Sequence, residues 1–122
     1  MKVEVRVGKN TTTVAWVSSG ERVSKKFPGR VSAEYSEARS VVVIAGGDGV
    51  IHLLDVDGGV LDSFSYNLPE NCKFYILAKS IVSDLGVVMV VAHDPEFKGE
   101  RFWQHEIDLE GRTVGGPENR WR

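Results

Sequence analysis

Cysteine is nearly absent: Cys72 is the single one. No internal disulfide can staple such a chain, so its stability has to come from packing. A lone thiol suits a reducing compartment and reads as a small apolar side chain. A catalytic thiol needs a neighbouring base, and none stands out along the sequence. Other signatures are missing too. There is no Gly-x-Ser-x-Gly, no Cys-x-x-Cys, and no His-x-His or His-x-x-x-His pair, which removes the usual nucleophile-elbow, redox and zinc spacings. Gly46-Gly47-Asp48-Gly49 lacks the Lys-Ser/Thr of a phosphate loop and reads as a turn.

Long hydrophobic runs are missing as well. Val41–Ala45 and Val87–Ala92 are the longest, far short of the roughly 20 residues a membrane helix needs. At the start, Lys2, Glu4 and Arg6 interrupt Val3, Val5 and Val7, so there is no apolar leader core. The expectation is a cytoplasmic protein with no membrane partner. Helical spacing is confined to Lys79–Leu85, where one turn of helix is expected.

What remains is an ordinary globular composition. The chain has 122 residues, 42% hydrophobic and 26% charged, which suits one domain with its own core. Charge is unevenly spread: residues 1–30 carry a net +5, residues 31–72 a net −6 and residues 73–122 a net −1. An acidic middle third argues against nucleic acid as the main ligand and for a protein partner with a basic surface. Several of these acids fall in turns, where solvated carboxylates are also expected.

Period-two alternation dominates the chain. Lys2–Val7, Thr11–Val17 and Glu21–Phe27 read as strands, followed by Arg30–Ser36, Ser40–Ala45, Val50–Val56 and Val60–Tyr66. Lys73–Ile81, Gly86–Ala92, Arg101–Leu109 and a short Arg112–Val114 complete the set. Gly8-Lys9-Asn10, Ser18-Ser19-Gly20, Pro28-Gly29 and Asp57-Gly58-Gly59 are turns. His93–Glu100 reads as a long loop and Gly115–Arg122 as a tail that frays or packs through Trp121. About eleven short strands with short turns imply an all-β antiparallel meander. The whole of 1–122 is expected to be a single domain of three units, about 1–29, 30–70 and 71–122, with a two-sheet β-sandwich as the alternative.

The chain also repeats itself. His52-Leu53-Leu54-Asp55-Val56-Asp57-Gly58 matches His105-Glu106-Ile107-Asp108-Leu109-Glu110-Gly111, and Val41–Ala45 matches Val88–Ala92. A degenerate copy, Val14–Gly20, keeps the apolar positions and the glycine. Positions 16, 54 and 107 should point to a buried face, and the acid before the glycine should hold turn amides. On these residues, Ile51–Leu61 resembles the inner-to-outer hairpin of β-propeller blades of the quinoprotein (PQQ-like) type. In such blades an Asp-x-x-x-Gly strand end leads into a strand bearing an aromatic. Here Phe64 comes slightly late and the expected tryptophan is absent. The resemblance implies blade-like units but carries over no quinone site, and no cofactor is expected.

His52 and His105 occupy equivalent repeat positions and should each pack with one nitrogen hydrogen-bonded; no metal is expected at them or at His93. Asp55 with Asp108, or Asp57 with Glu110, would have to share one cleft to act as paired glycosidase carboxylates, and turn roles suit them better. Asn10-Thr11-Thr12 is a glycosylation sequon only in a secreted protein. The expected function is non-enzymatic: a protein-binding domain, by general type like a small bacterial immunity protein that covers the basic cleft of a toxin such as a nuclease. The expected contact residues are Asp48, Asp57, Asp62, Asp94, Glu96, Phe97 and Trp103. One of Phe102 and Trp103 should face the core and the other an interface. A self-associating propeller-like module or scaffold subunit, a homo-oligomer, is the alternative. A small hydrolase is the third class, for which no motif is present.

Overall fold

A computed structural model describes all residues, 1–122. It contains eleven strands and no helix, arranged as three antiparallel sheets of three, four and four strands. Each sheet is a run of consecutive strands, so the fold is an all-β meander of three units. Sheet A holds β1 (Glu4–Val7), β2 (Thr11–Ser18) and β3 (Glu21–Pro28). Sheet B holds β4 (Val31–Ser36), β5 (Val41–Gly46), β6 (Val50–Leu54) and β7 (Val60–Ser65). Sheet C holds β8 (Cys72–Lys79), β9 (Val87–Phe97), β10 (Glu100–Asp108) and β11 (Thr113–Arg120). The sheets do not close into a ring.

Sheet B is the middle layer, and the alternation of its strands serves both neighbours. Val42, Ile44 and Leu54 pack with Val14 and Trp16 of sheet A. Val41, Val43, Ala45, Ile51, Leu53 and Phe64 pack with Leu77, Val87, Met89, Val91 and Ile107 of sheet C. This is why β5 is buried along its whole length and reads as an unbroken apolar run. Thr12 stitches the first crossing: its hydroxyl donates to the Gly29 carbonyl at 2.7 Å and accepts from the Val31 amide at 3.2 Å. The Trp16 indole donates to the Val56 carbonyl at 2.7 Å. Positions 16, 54 and 107 are all fully buried.

Several sequence expectations need correction. Lys79–Leu85 is not helical. Its loop is held by the Ser36 hydroxyl, which donates to the Leu85 carbonyl at 2.6 Å, and by the Ser83 and Ser80 hydroxyls, which donate to Glu106 and Gln104. His93–Glu100 is not a long loop: β9 runs on to Phe97 and turns through Lys98-Gly99 alone, both at positive φ. Of the two expectations for Gly115–Arg122, fraying fails, because β11 continues to Arg120 against β10, and packing through Trp121 holds, since its ring lies on Tyr75 and Phe102. Cross-strand partners supplied that order, and they are invisible in a local reading of a glycine-rich tail.

The acid that holds each repeat turn lies earlier than expected. Asp55 accepts from the Asp57 and Gly59 amides, both at 2.9 Å, and Asp108 accepts from Glu110 and Gly111 at 3.1 and 3.0 Å. A Cβ on Gly59 or Gly111 would lie 2.7 or 2.6 Å from that carboxylate. Gly59 and Gly111 are therefore needed for close approach, whereas the positive φ of the first turn falls on Gly58.

Candidate functional site

The strand order sorts the turns to two ends of the molecule. Asp48 (β5–β6 turn) and Asp94, Glu96 and Phe97 (β9–β10 hairpin) lie at one end, together with the 66–71 link. Asp57 (β6–β7 turn) lies at the other. There it takes a 3.3 Å hydrogen bond from Ser18. Asp62, on β7, is engaged by Arg112 through Nε and Nη2 at 3.1 and 3.0 Å. The seven expected contact residues thus do not form one acidic face. Four of them share an end, two belong to the opposite half, and Trp103 is buried.

Trp103 is buried in the chain and supports the hairpin. Its register with Val91 turns it to the inner face of sheet C. Its indole N–H is shared between the Phe97 and Glu100 carbonyls at 3.2 and 3.0 Å. The Phe97 ring stands edge-on to it at 5.1 Å, with Lys98 Nζ over the same ring at 5.3 Å. Arg122 and Arg120 hold Glu100 from the side at 2.9 and 3.9 Å. The outcome is an exposed hairpin, residues 94–98, whose phenylalanine remains 37% accessible on a backing that fixes its position. Phe102 points the other way and forms an aromatic group with Tyr75 and Trp121.

Beneath the hairpin lies a cluster that sequence reasoning missed. Cys72, His93 and His105 share the inner face of sheet C and are all buried. His105 Nδ1 lies 2.8 Å from the Gly115 carbonyl, and its Nε2 lies 3.0 Å from His93 Nε2. The carbonyl can only accept, so His105 donates Nδ1–H and keeps a lone pair on Nε2. His93 must then donate its Nε2–H. Burial lowers the pKa of His93. It also lowers that of His105, with the His93 charge adding to the effect while the Gly115 hydrogen bond and Glu118 oppose it. The pair is accordingly neutral near pH 7.

Cys72 Sγ lies 3.5 Å from His93 Nδ1 and 3.9 Å from Nε2. A sulfur so nearly equidistant from both nitrogens lies off both lone-pair axes, which is poor geometry for proton transfer. Burial also raises the thiol pKa, the reverse of what an activated nucleophile needs. No group of three or more His, Cys, Asp or Glu is arranged to hold a metal ion. Strand parity was the signal available: 72, 93 and 105 fall on one face once the Lys98-Gly99 hairpin sets the register. His52, the repeat counterpart of His105, sits half-buried with Nδ1 2.8 Å from Ser63 Oγ and its ring against Phe27.

The largest cleft, about 860 Å³, runs beside β1. Val5 and Val7 line it with Phe74, Tyr75 and Ile76 of β8, and Arg30 and Asp48 supply its charge. A smaller one of about 460 Å³ lies over Cys72 and Tyr66, and the Tyr66 hydroxyl, donating to the Gly46 carbonyl at 2.6 Å, has its pKa pushed up to about 12 by burial. Compared with known protein families, curated proteins and solved structures, the chain matches none.

Proposed function

We propose that this chain is a non-enzymatic protein-binding domain that meets its partner through the β9–β10 hairpin. The observation that carries this reading is Phe97, held exposed at the hairpin by a buried tryptophan bonded to its own carbonyl. An aromatic anchor fixed in advance loses little freedom on binding, and a charged rim excludes water around it. Asp94 and Glu96 flank it and Asp48 lies at the same end, which favours a partner with a basic surface. Neutralisation of a basic toxin, such as a nuclease, in the manner of an immunity protein in the cytoplasm is the biological role we assign. In this reading the three sheets are propeller-blade-like units, with the Asp55 and Asp108 turns as the repeated device.

Affinity capture from the source cell with the wild-type chain and Phe97→Ala tests the proposal. The wild type should retain a basic protein and inhibit its activity. Truncating Phe97 should weaken this by about 2 kcal/mol, roughly thirtyfold, and raised salt should slow association. Equal capture and inhibition by both chains would sink the assignment of the hairpin.

A further inference from the structure

Strand β1 is an edge strand whose four residues are all exposed. It belongs to the three-stranded sheet, beside two sheets of four strands. Its hydrogen-bonding sides follow from one turn contact. The Gly8 amide donates to the Thr11 carbonyl at 2.7 Å, and the register continues as Val7 opposite Thr12, Arg6 opposite Thr13 and Glu4 opposite Ala15. Bonded and non-bonded pairs alternate along an antiparallel ladder. The residues that bond β2 are therefore Gly8, Arg6 and Glu4. Val5 and Val7, with Val3 by the same alternation, direct their N–H and C=O groups to the open side.

We propose that this open side is a homodimer interface, in which β1 pairs antiparallel with β1 of a second copy about a two-fold axis at Val5. Backbone parity and the valine face require odd-numbered residues to pair with odd, and the match of Glu4 with Arg6 places the axis at Val5. The free backbone groups belong to the odd-numbered residues, so Val5 faces Val5 of the other copy, and Val3 faces Val7. Residues opposite each other share a face, so the valines, 40% and 46% exposed at positions 5 and 7, form one apolar strip. The intervening pairs then match Glu4 of each copy with Arg6 of the other. They are non-bonded pairs, where side chains approach most closely. Charges on an edge usually prevent pairing, but Val-Glu-Val-Arg-Val is complementary to itself when reversed. Glu4 is held within its own chain only by Arg22 at 3.7 Å, with both side chains mostly exposed, so little is lost by turning to Arg6. A four-residue seam is small, and dimerisation should be weak and concentration-dependent.

Charge reversal tests the register. Sedimentation equilibrium of the full chain should show a reversible monomer–dimer transition. Glu4→Arg or Arg6→Glu alone places like charges opposite at both symmetric positions and should weaken the dimer about tenfold. The double variant E4R/R6E restores complementarity and should return to within about threefold of wild type. In parallel, hydrogen exchange at the Val5 and Val7 amides of the wild type should slow as concentration rises, a readout that needs no variant. A wild type that stays monomeric into the millimolar range would overturn the proposal. So would a dimer unmoved by the single reversals, or a double variant as weak as their combination.

Discussion

Sheet B has two faces, and the protein builds on them differently. Toward sheet A the buried cluster is small, seven residues, and depends on Trp16. Toward sheet C it is twice as large, fourteen residues, mostly aliphatic and spread over many strands. The repeated histidines fall one on each side: His52 faces sheet A, half in solvent, and His105 faces sheet B, fully buried beside His93. A concentrated interface should fail through one residue. A distributed one should fail through a change that affects several strands at once.

The largest expected effect is therefore on the small interface. Trp16→Ala removes the biggest side chain buried there and its 2.7 Å bond to the Val56 carbonyl. Truncations of this kind cost about 3–5 kcal/mol, enough to loosen sheet A from the rest. Met89→Ala, in the larger cluster, removes one of fourteen packed residues and should cost about 2–3 kcal/mol. Chemical denaturation of both variants would check the order. A larger loss for Met89→Ala would break the contrast between the faces.

The larger interface has its own weak point, and acid should reach it. Burial holds the pKa of His93 and of His105 below 6.5. The unfolded chain then binds more protons than the native one as pH falls through 6.5. The contribution of these groups to stability is complete above that value and is lost as pH drops toward the native pKa values. Added protons have no good acceptor: His93 Nδ1 faces only the Cys72 sulfur, and Glu118 is the one carboxylate acting on the pair. The melting temperature should fall by several degrees between pH 7 and pH 5. His93→Gln should flatten that profile. An unaltered profile for His93→Gln would show that other groups govern acid stability.

Much of the architecture was legible in the sequence, and the site much less so. The unbroken run Val41–Ala45 announces a strand covered on both faces because it reports its own burial, whereas the alternation at Val3, Val5 and Val7 marks a strand but not that it is an exposed edge. That acids sit in these turns was legible, but which acid holds the amides was not: Asp55 and Asp108 do so, not the Asp57 and Glu110 beside the glycines. Register across the β9–β10 hairpin was not local. It depended on Lys98-Gly99 closing the turn at positive φ, and with it went the length of β9, the inward position of Trp103 and the meeting of His93 with His105. Repetition predicted like positions for His52 and His105. It could not predict unlike surroundings, because only sheet C has a second histidine across the strand.

The smallest expected effect separates the two repeat turns, which are chemically alike but differently placed. In each, one aspartate oxygen accepts from two backbone amides. The β6–β7 turn also leans on sheet A, where a Cβ on Gly58 would lie 2.9 Å from Val23 and 2.8 Å from the Lys25 side chain. The adjoining Val56 carbonyl is the one that holds Trp16. Losing the Asp55 carboxylate would release a turn that supports the small interface, whereas the glutamate and glycine of the Asp108 turn, Glu110 and Gly111, are exposed. Asp55→Ala should therefore cost more than Asp108→Ala, with both near 1–2 kcal/mol. The excess should vanish in a Trp16→Ala background, because the interface that couples the turn to sheet A is then already loosened. A double-mutant cycle reads this directly. Equal costs in both backgrounds would mean that each turn acts alone and that the tryptophan, not the turn, defines that side of the molecule.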